Sequence, residues 1–186
     1  MRQASIKSII TFFLLLFSCL LYAQDISLES SEEFIPGKAN KLIKSLYSEN
    51  DHVIAFRVKL TDKQDEESDY FILAKNQDKL IAYNYFVKSS TLKMLDLTIA
   101  SLDLVWKTFL QNDLFRIRDE KDIQNFCPEK YRIYHSYTYE FIIFSMGQTK
   151  KISYYDPEYY DNVCYGISER RKVINSASVI NYVINK

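Results

Sequence analysis

The chain has 186 residues, with 24 basic residues, 24 acidic ones and two histidines. A charge this balanced offers no basic face for nucleic acid and no argument for an anionic membrane surface. At 47% hydrophobic and 15% aromatic residues the composition is that of a folded domain, not a disordered chain.

Arg2 and Lys7 precede the apolar run Ile9 to Phe17, and small or neutral residues lead on to Tyr22-Ala23-Gln24. That is the pattern of a secretory signal peptide over residues 1–23, with Ala23 before the cut. The apolar stretch of about 15 residues is short for a bilayer span, which needs about 20. Acidic residues, not a basic stop-transfer flank, follow it, so no membrane span is expected after cleavage. Leu16-Phe17-Ser18-Cys19 faintly resembles a lipidation motif, but the apolar Leu20-Leu21-Tyr22 would then open the mature chain. Tyr-Ala-Gln resembles the signal-peptide ends of bacteria with two membranes, and an exported protein in the periplasm or outside the cell is expected. Cleavage lowers the 24 basic residues to 22 and leaves the 24 acids, a formal charge of −2.

Two cysteines then remain, Cys127 and Cys164. In an oxidising compartment they are expected to pair with each other. Zinc would need further Cys or His ligands at short spacing, and only His52 and His135 exist.

Residues 24–36 read as a loose acidic leader to a single domain over 37–186. Ala39, Leu42, Ile43, Leu46 and Tyr47 recur at helical spacing. The period then changes: Ile54, Phe56, Val58 and Leu60 alternate with Ala55, Arg57 and Lys59, predicting a half-buried strand. After the polar connection from Asp62 to Asp69, the runs 70–74 and 80–87 flank Asn76-Gln77-Asp78 as a hairpin. Residues 89–100 fit either a helix or a short strand. Ser101 is the expected N-cap of a helix carrying Leu102, Val105, Trp106, Phe109 and Leu110, its lone Trp read as a core residue. Strands over 137–144 and 150–155 make a second hairpin about Gly147-Gln148. Pro157 to Gly166 reads as an irregular loop holding Cys164, and Ser168 as the cap of a last helix with Val173, Ala177, Ile180 and Ile184 on one stripe. The fold class expected is α+β: an antiparallel sheet of about five strands, a meander plus a hairpin, with about three helices packed on one face and one disulfide.

No motif names a reaction, and neither a cofactor nor a metal is implied. The three glycines, Gly37, Gly147 and Gly166, leave no phosphate-cradling loop, and no nucleophile elbow or H-E-x-x-H spacing occurs. Asp156, Glu158, Asp161 and Asn162 lack the spacing and glycine of a calcium loop. Arg170 and Arg171 open the last helix, where the dipole disfavours cations, and are read as solvated or paired with nearby acids. The unusual composition is aromatic: Tyr131, Tyr134, Tyr137 and Tyr139 in one segment, and a Tyr/Asp-rich stretch from Tyr154 to Tyr165 in another. A Cys127–Cys164 bridge would hold the two together. Tyrosine combines a large ring with a polar tip and is enriched at contact surfaces. Tyr154, Tyr155, Asp156, Tyr159, Tyr160, Asp161 and Tyr165 are therefore the candidate contact surface, against the plainer reading that they fill sheet faces and a turn.

The functional expectation is a non-catalytic interaction module of the cell envelope, inhibitor- or immunity-like, with another protein or an envelope polymer as partner. A structural envelope component is the alternative. A small envelope hydrolase using His135 with carboxylates stands behind both.

Overall fold

The computed structural model describes residues 38–60, 68–77, 79–124, 127–164 and 166–186. The signal peptide, the acidic leader, most of the 62–69 connection and Tyr165 lie outside the described residues. Helix α1 (Lys38–Ser48) leads into strands β1 (His52–Leu60), β2 (Tyr70–Asn76), β3 (Lys79–Phe86) and β4 (Thr91–Met94). Helix α2 (Ile99–Gln111) follows, then two short 3-10 turns (Glu120–Asp122 and Glu129–Tyr131), strands β5 (Tyr137–Ser145) and β6 (Gln148–Tyr155), and helices α3 (Pro157–Val163) and α4 (Ser168–Ile184).

The six strands form one antiparallel sheet in the order β4-β3-β2-β1-β5-β6, and Cys127 is bonded to Cys164. The α+β class and the disulfide are as expected; among the described residues the sheet has six strands, not five, and there are four helices, not three. The extra strand comes from the stretch of ambiguous period. Thr91 to Met94 pairs with β3, and Leu95 N–H continues the ladder to the Ala82 carbonyl at 2.9 Å. Its burial pattern is mostly exposed, so periodicity gives no signal there; the pairing partner decides it.

Helices lie on both faces of the sheet, not on one. Leu102, Val105 and Phe109 of α2, with Val173, Ala177, Ile180 and Val183 of α4, pack on Ile54, Phe56, Phe141 and Ile143. On the opposite face, Ile43 of α1 joins Val53, Ala55, Ile72, Ile142 and Phe144. Strand β1 is therefore central and buried on both faces from Val53 to Arg57, whereas Val58 and Leu60 are exposed. Of the residues expected to face solvent, Ala55 packs with Ile43 of α1 and Arg57 is buried against Glu140, so the alternation does not mark an exposed face here. Helix α2 begins one turn earlier than Ser101: Thr98 is the cap, its Oγ1 accepting from Ser101 N–H at 3.1 Å. Likewise Ser168 is the first residue of α4, and Ile167 stands at the cap position. Trp106 is only partly buried, against the first core. Among the described residues no helix is long and apolar enough to cross a membrane.

His52, at the start of β1, packs beside Trp106 and Phe115 at 5.4 and 5.8 Å between ring centroids. Its Nδ1 lies 2.7 Å from Ser145 Oγ. Burial, reinforced by the nearby Lys75 charge, holds the imidazole below its ordinary value of 6.5. As pH falls below 6.5 the unfolded chain takes up a proton that the folded imidazole resists, so stability declines through the interval beneath 6.5 and is complete above it. Urea titrations at pH 7.5 and 5.5 should show this loss, and His52→Gln should flatten it. An equal pH dependence in the variant would assign the effect to other groups.

Candidate functional site

Strand β6 is an edge strand, and an edge exposes unpaired N–H groups. At Ser153 and Tyr155 side chains cover them. Asp119 Oδ2 accepts from Ser153 N–H at 3.0 Å, and Glu120 Oε2 accepts from Tyr155 N–H at 2.9 Å. Asp119 Oδ1 also accepts from Lys121 N–H at 3.0 Å, fixing the turn that carries both acids. Burial raises the Asp119 carboxyl above the usual carboxylate range, opposed by these N–H bonds.

Behind Glu120 stands Arg170, a fully buried arginine. Its Nε and Nη2 each donate to Glu120 Oε1 at 3.0 Å, and its Nη1 donates to the carbonyls of Tyr160 at 3.3 Å and Cys164 at 3.0 Å. The guanidinium also lies 5.4 Å from the Tyr160 ring centre. Arg170 was expected to be solvated or paired with nearby acids; it is paired, with Glu120, but fully buried. It is the hub that joins the 119–122 turn to α3 and α4, because the helix geometry turns it inward while Arg171 faces out to Asp161.

The segment read as an irregular loop is a helix. Asp156 caps it with Oδ1 accepting from Tyr159 N–H at 3.2 Å, Pro157 occupies the first turn, and Glu158 adds an acid there. Asp-Pro-Glu is a legible helix start, and it is the signal that sequence reasoning passed over. Asp156 takes a left-handed conformation, φ 36°, tolerable for an Asp whose side chain bonds locally. Glu158 accepts from the hydroxyls of Tyr137 at 2.8 Å and Tyr139 at 2.7 Å. Burial and this carboxylate both push the two phenols well above their ordinary value.

These elements line an open cleft of about 680 Å³. Thr138, Ser153 and Tyr155 form its floor; the Asp119–Lys121 turn forms one wall; Cys127, Pro128, Glu129 and Arg132 form the other, with Tyr160 from α3 closing the end. The disulfide fastens the Cys127 wall to the end of α3. Tyr155 and Tyr160 are half-buried, with rings 6.2 Å apart. Both phenols are pinned at their tips: Ser136 N–H donates to Tyr155 Oη at 3.2 Å and Ile133 N–H to Tyr160 Oη at 3.4 Å.

No family model, curated protein or solved structure matches this chain. Its chemistry therefore has to be argued from the cleft itself.

Of the seven residues of the candidate contact surface, Tyr155 and Tyr160 line the cleft, and Tyr159 is half-buried edge-on to Tyr160 at 5.2 Å. Tyr154 is not a surface residue: it is fully buried, and its hydroxyl donates to the Arg118 carbonyl at 2.9 Å. Its place in β6 turns it toward α2 and α4, opposite to Tyr155, as strand alternation requires. Asp156 is a buried cap, and Asp161 is engaged with Arg171. The residues that sequence reasoning missed are Asp119, Glu120, Glu129, Arg132, Thr138 and Ser153, because nothing in their spacing marks them; only pairing and loop placement bring them together. His135 is exposed and does not line the cleft. Among the described residues no group of three or more His, Cys, Asp or Glu is arranged to hold a metal ion.

The register extends the polar floor by one row. Glu140 of β5 pairs with Ser153 of β6 on one side and with Arg57 of β1 on the other. Glu140 Oε1 accepts from Arg57 at 2.7 Å, and Oε2 lies 2.6 Å from Lys151 Nζ. Arg57 and Glu140 are both buried, so this trio fixes the strands beside the cleft.

Proposed function

We propose that this chain is an exported, non-catalytic binding module of the bacterial cell envelope, inhibitor- or immunity-like, and that the Tyr155–Tyr160 cleft is its contact end. The observation that carries the reading is how fully the cleft's inner acids are already engaged. Asp119 holds one strand-edge N–H and one N–H of its own turn, Glu120 holds a second strand-edge N–H and Arg170, and Glu158 holds two tyrosine hydroxyls. Such carboxylates stiffen a site; a general acid or base needs a free oxygen aimed at a reacting atom. A stiff cleft binds with little ordering cost, which favours recognition. Glu129 and Arg132 in its wall are exposed.

Residues 24–186, immobilised and exposed to solubilised cell envelope, should retain a defined partner by saturable binding. Glu129→Lys should reduce the retained amount severalfold without changing the thermal unfolding of the domain. Retention that is indifferent to this reversal, or no retained partner, would remove the cleft from the interaction.

A further inference from the structure

We infer that the cleft recognises an uncharged saccharide, presented as a short segment of an envelope polymer. This rests on the binding reading above and narrows it by ligand class.

Three observations select the class. The first excludes an extended peptide added as a seventh strand. The N–H groups of Ser153 and Tyr155, which such a peptide would pair with, are already bonded to Asp119 and Glu120 at 3.0 and 2.9 Å. The second concerns charge. Asp119, Glu120 and Glu129 are balanced by Lys121, Arg132 and the buried Arg170 behind Glu120, so the cleft offers no net field for a polyanion or a polycation.

The third is the form of the surface left for a ligand. The hydroxyls of Tyr155 and Tyr160 each accept from a backbone N–H, which fixes where these two aromatic rings sit in the cleft lining. A sugar ring has apolar C–H faces that lie against aromatic rings, and a rim of hydroxyls that each donate and accept. Arg132 supplies donors only, Glu129 acceptors only, and the hydroxyls of Thr138 and Ser153 both. The cleft's volume of about 680 Å³ matches a bound segment of a few rings and falls inside the range of small-ligand sites, about 300–1,000 Å³.

The test uses the disulfide-bonded domain with three neutral tetrasaccharides as probes, built from N-acetylglucosamine, glucose and mannose, and with tetragalacturonate as the acidic counterpart. Calorimetric titration should give saturable binding of at least one neutral probe, and saturation transfer should run to tyrosine ring protons. Arg132→Ala and Glu129→Gln, both at exposed positions, should each weaken that binding roughly tenfold, the scale of a lost charged hydrogen bond. Failure of all three neutral probes, tighter binding of the galacturonate, or full binding by Arg132→Ala would overturn the inference. If the probes fail while envelope capture still responds to Glu129→Lys, the saccharide assignment falls and the binding module stands; if both fail, so does the cleft.

Discussion

Replacing Arg170 by methionine is expected to destabilise the domain by about 3–5 kcal/mol, the usual cost of removing one partner of a buried ion pair. The substitution keeps most of the stem volume but takes a charged donor from three acceptors at once. Glu120, whose side chain is only 17% exposed, loses its cation and keeps the Tyr155 N–H; the Cys164 carbonyl loses the guanidinium, and the Tyr160 carbonyl keeps only the Cys164 N–H at 3.0 Å. Each buried acceptor left without a partner carries its own desolvation cost of about 1–3 kcal/mol, so the sum is set by how far the helix ends can relax toward water. The urea midpoint should fall by about 1–3 M at unchanged slope, given slopes of about 1–3 kcal/mol per M. Adding Glu120→Gln to Arg170→Met should recover part of the loss, since the stranded charge is then gone. A loss below about 1 kcal/mol would show that the hub contributes position rather than stability.

Removing the disulfide should cost about 4 kcal/mol, as the chain-entropy relation gives for a cross-link between residues 37 apart. Cys127→Ser with Cys164→Ser and the reduced wild type should lose the same amount, because both free the same loop in the unfolded chain. That loop holds β5, β6 and α3, the parts from which most of the cleft is built. The two effects should not add. Cys164 provides a carbonyl to Arg170 as well as a sulfur to Cys127, so the triple variant should lose measurably less, or more, than the separate losses combined. Strict additivity in a urea double-mutant cycle would mean that the bridge and the arginine hub act on independent parts of the structure.

Much of the architecture was legible along the chain. The β5–β6 hairpin, the first hairpin and the stripes of α2 and α4 follow from period and turn chemistry, which are local properties. The disulfide followed from the number of cysteines left after an expected cleavage. Helix α3 is equally legible in Asp156-Pro157-Glu158, a cap, a first-turn proline and a first-turn acid, although Asp, Asn and Pro in the same stretch also fit a turn.

The candidate site was half legible. Tyr155 and Tyr160 could be singled out by composition, but Tyr154, one residue away, is core, and only the sheet's alternation separates them. The rest of the cleft depends on groups far apart in sequence: the 119–122 turn laid along an edge strand, the 127–132 wall pinned by its bridge to α3, and Arg170 turned inward 50 residues from Glu120. An exposed-looking arginine and a buried one have the same local sequence signature; the difference is whether a carboxylate and open carbonyls wait on the inner side of the helix. Local pattern decides which residues form strands and helices here, because backbone geometry repeats over a few residues. Which charges are buried together is decided by packing, because Coulomb attraction and desolvation depend on distance in space and not along the chain.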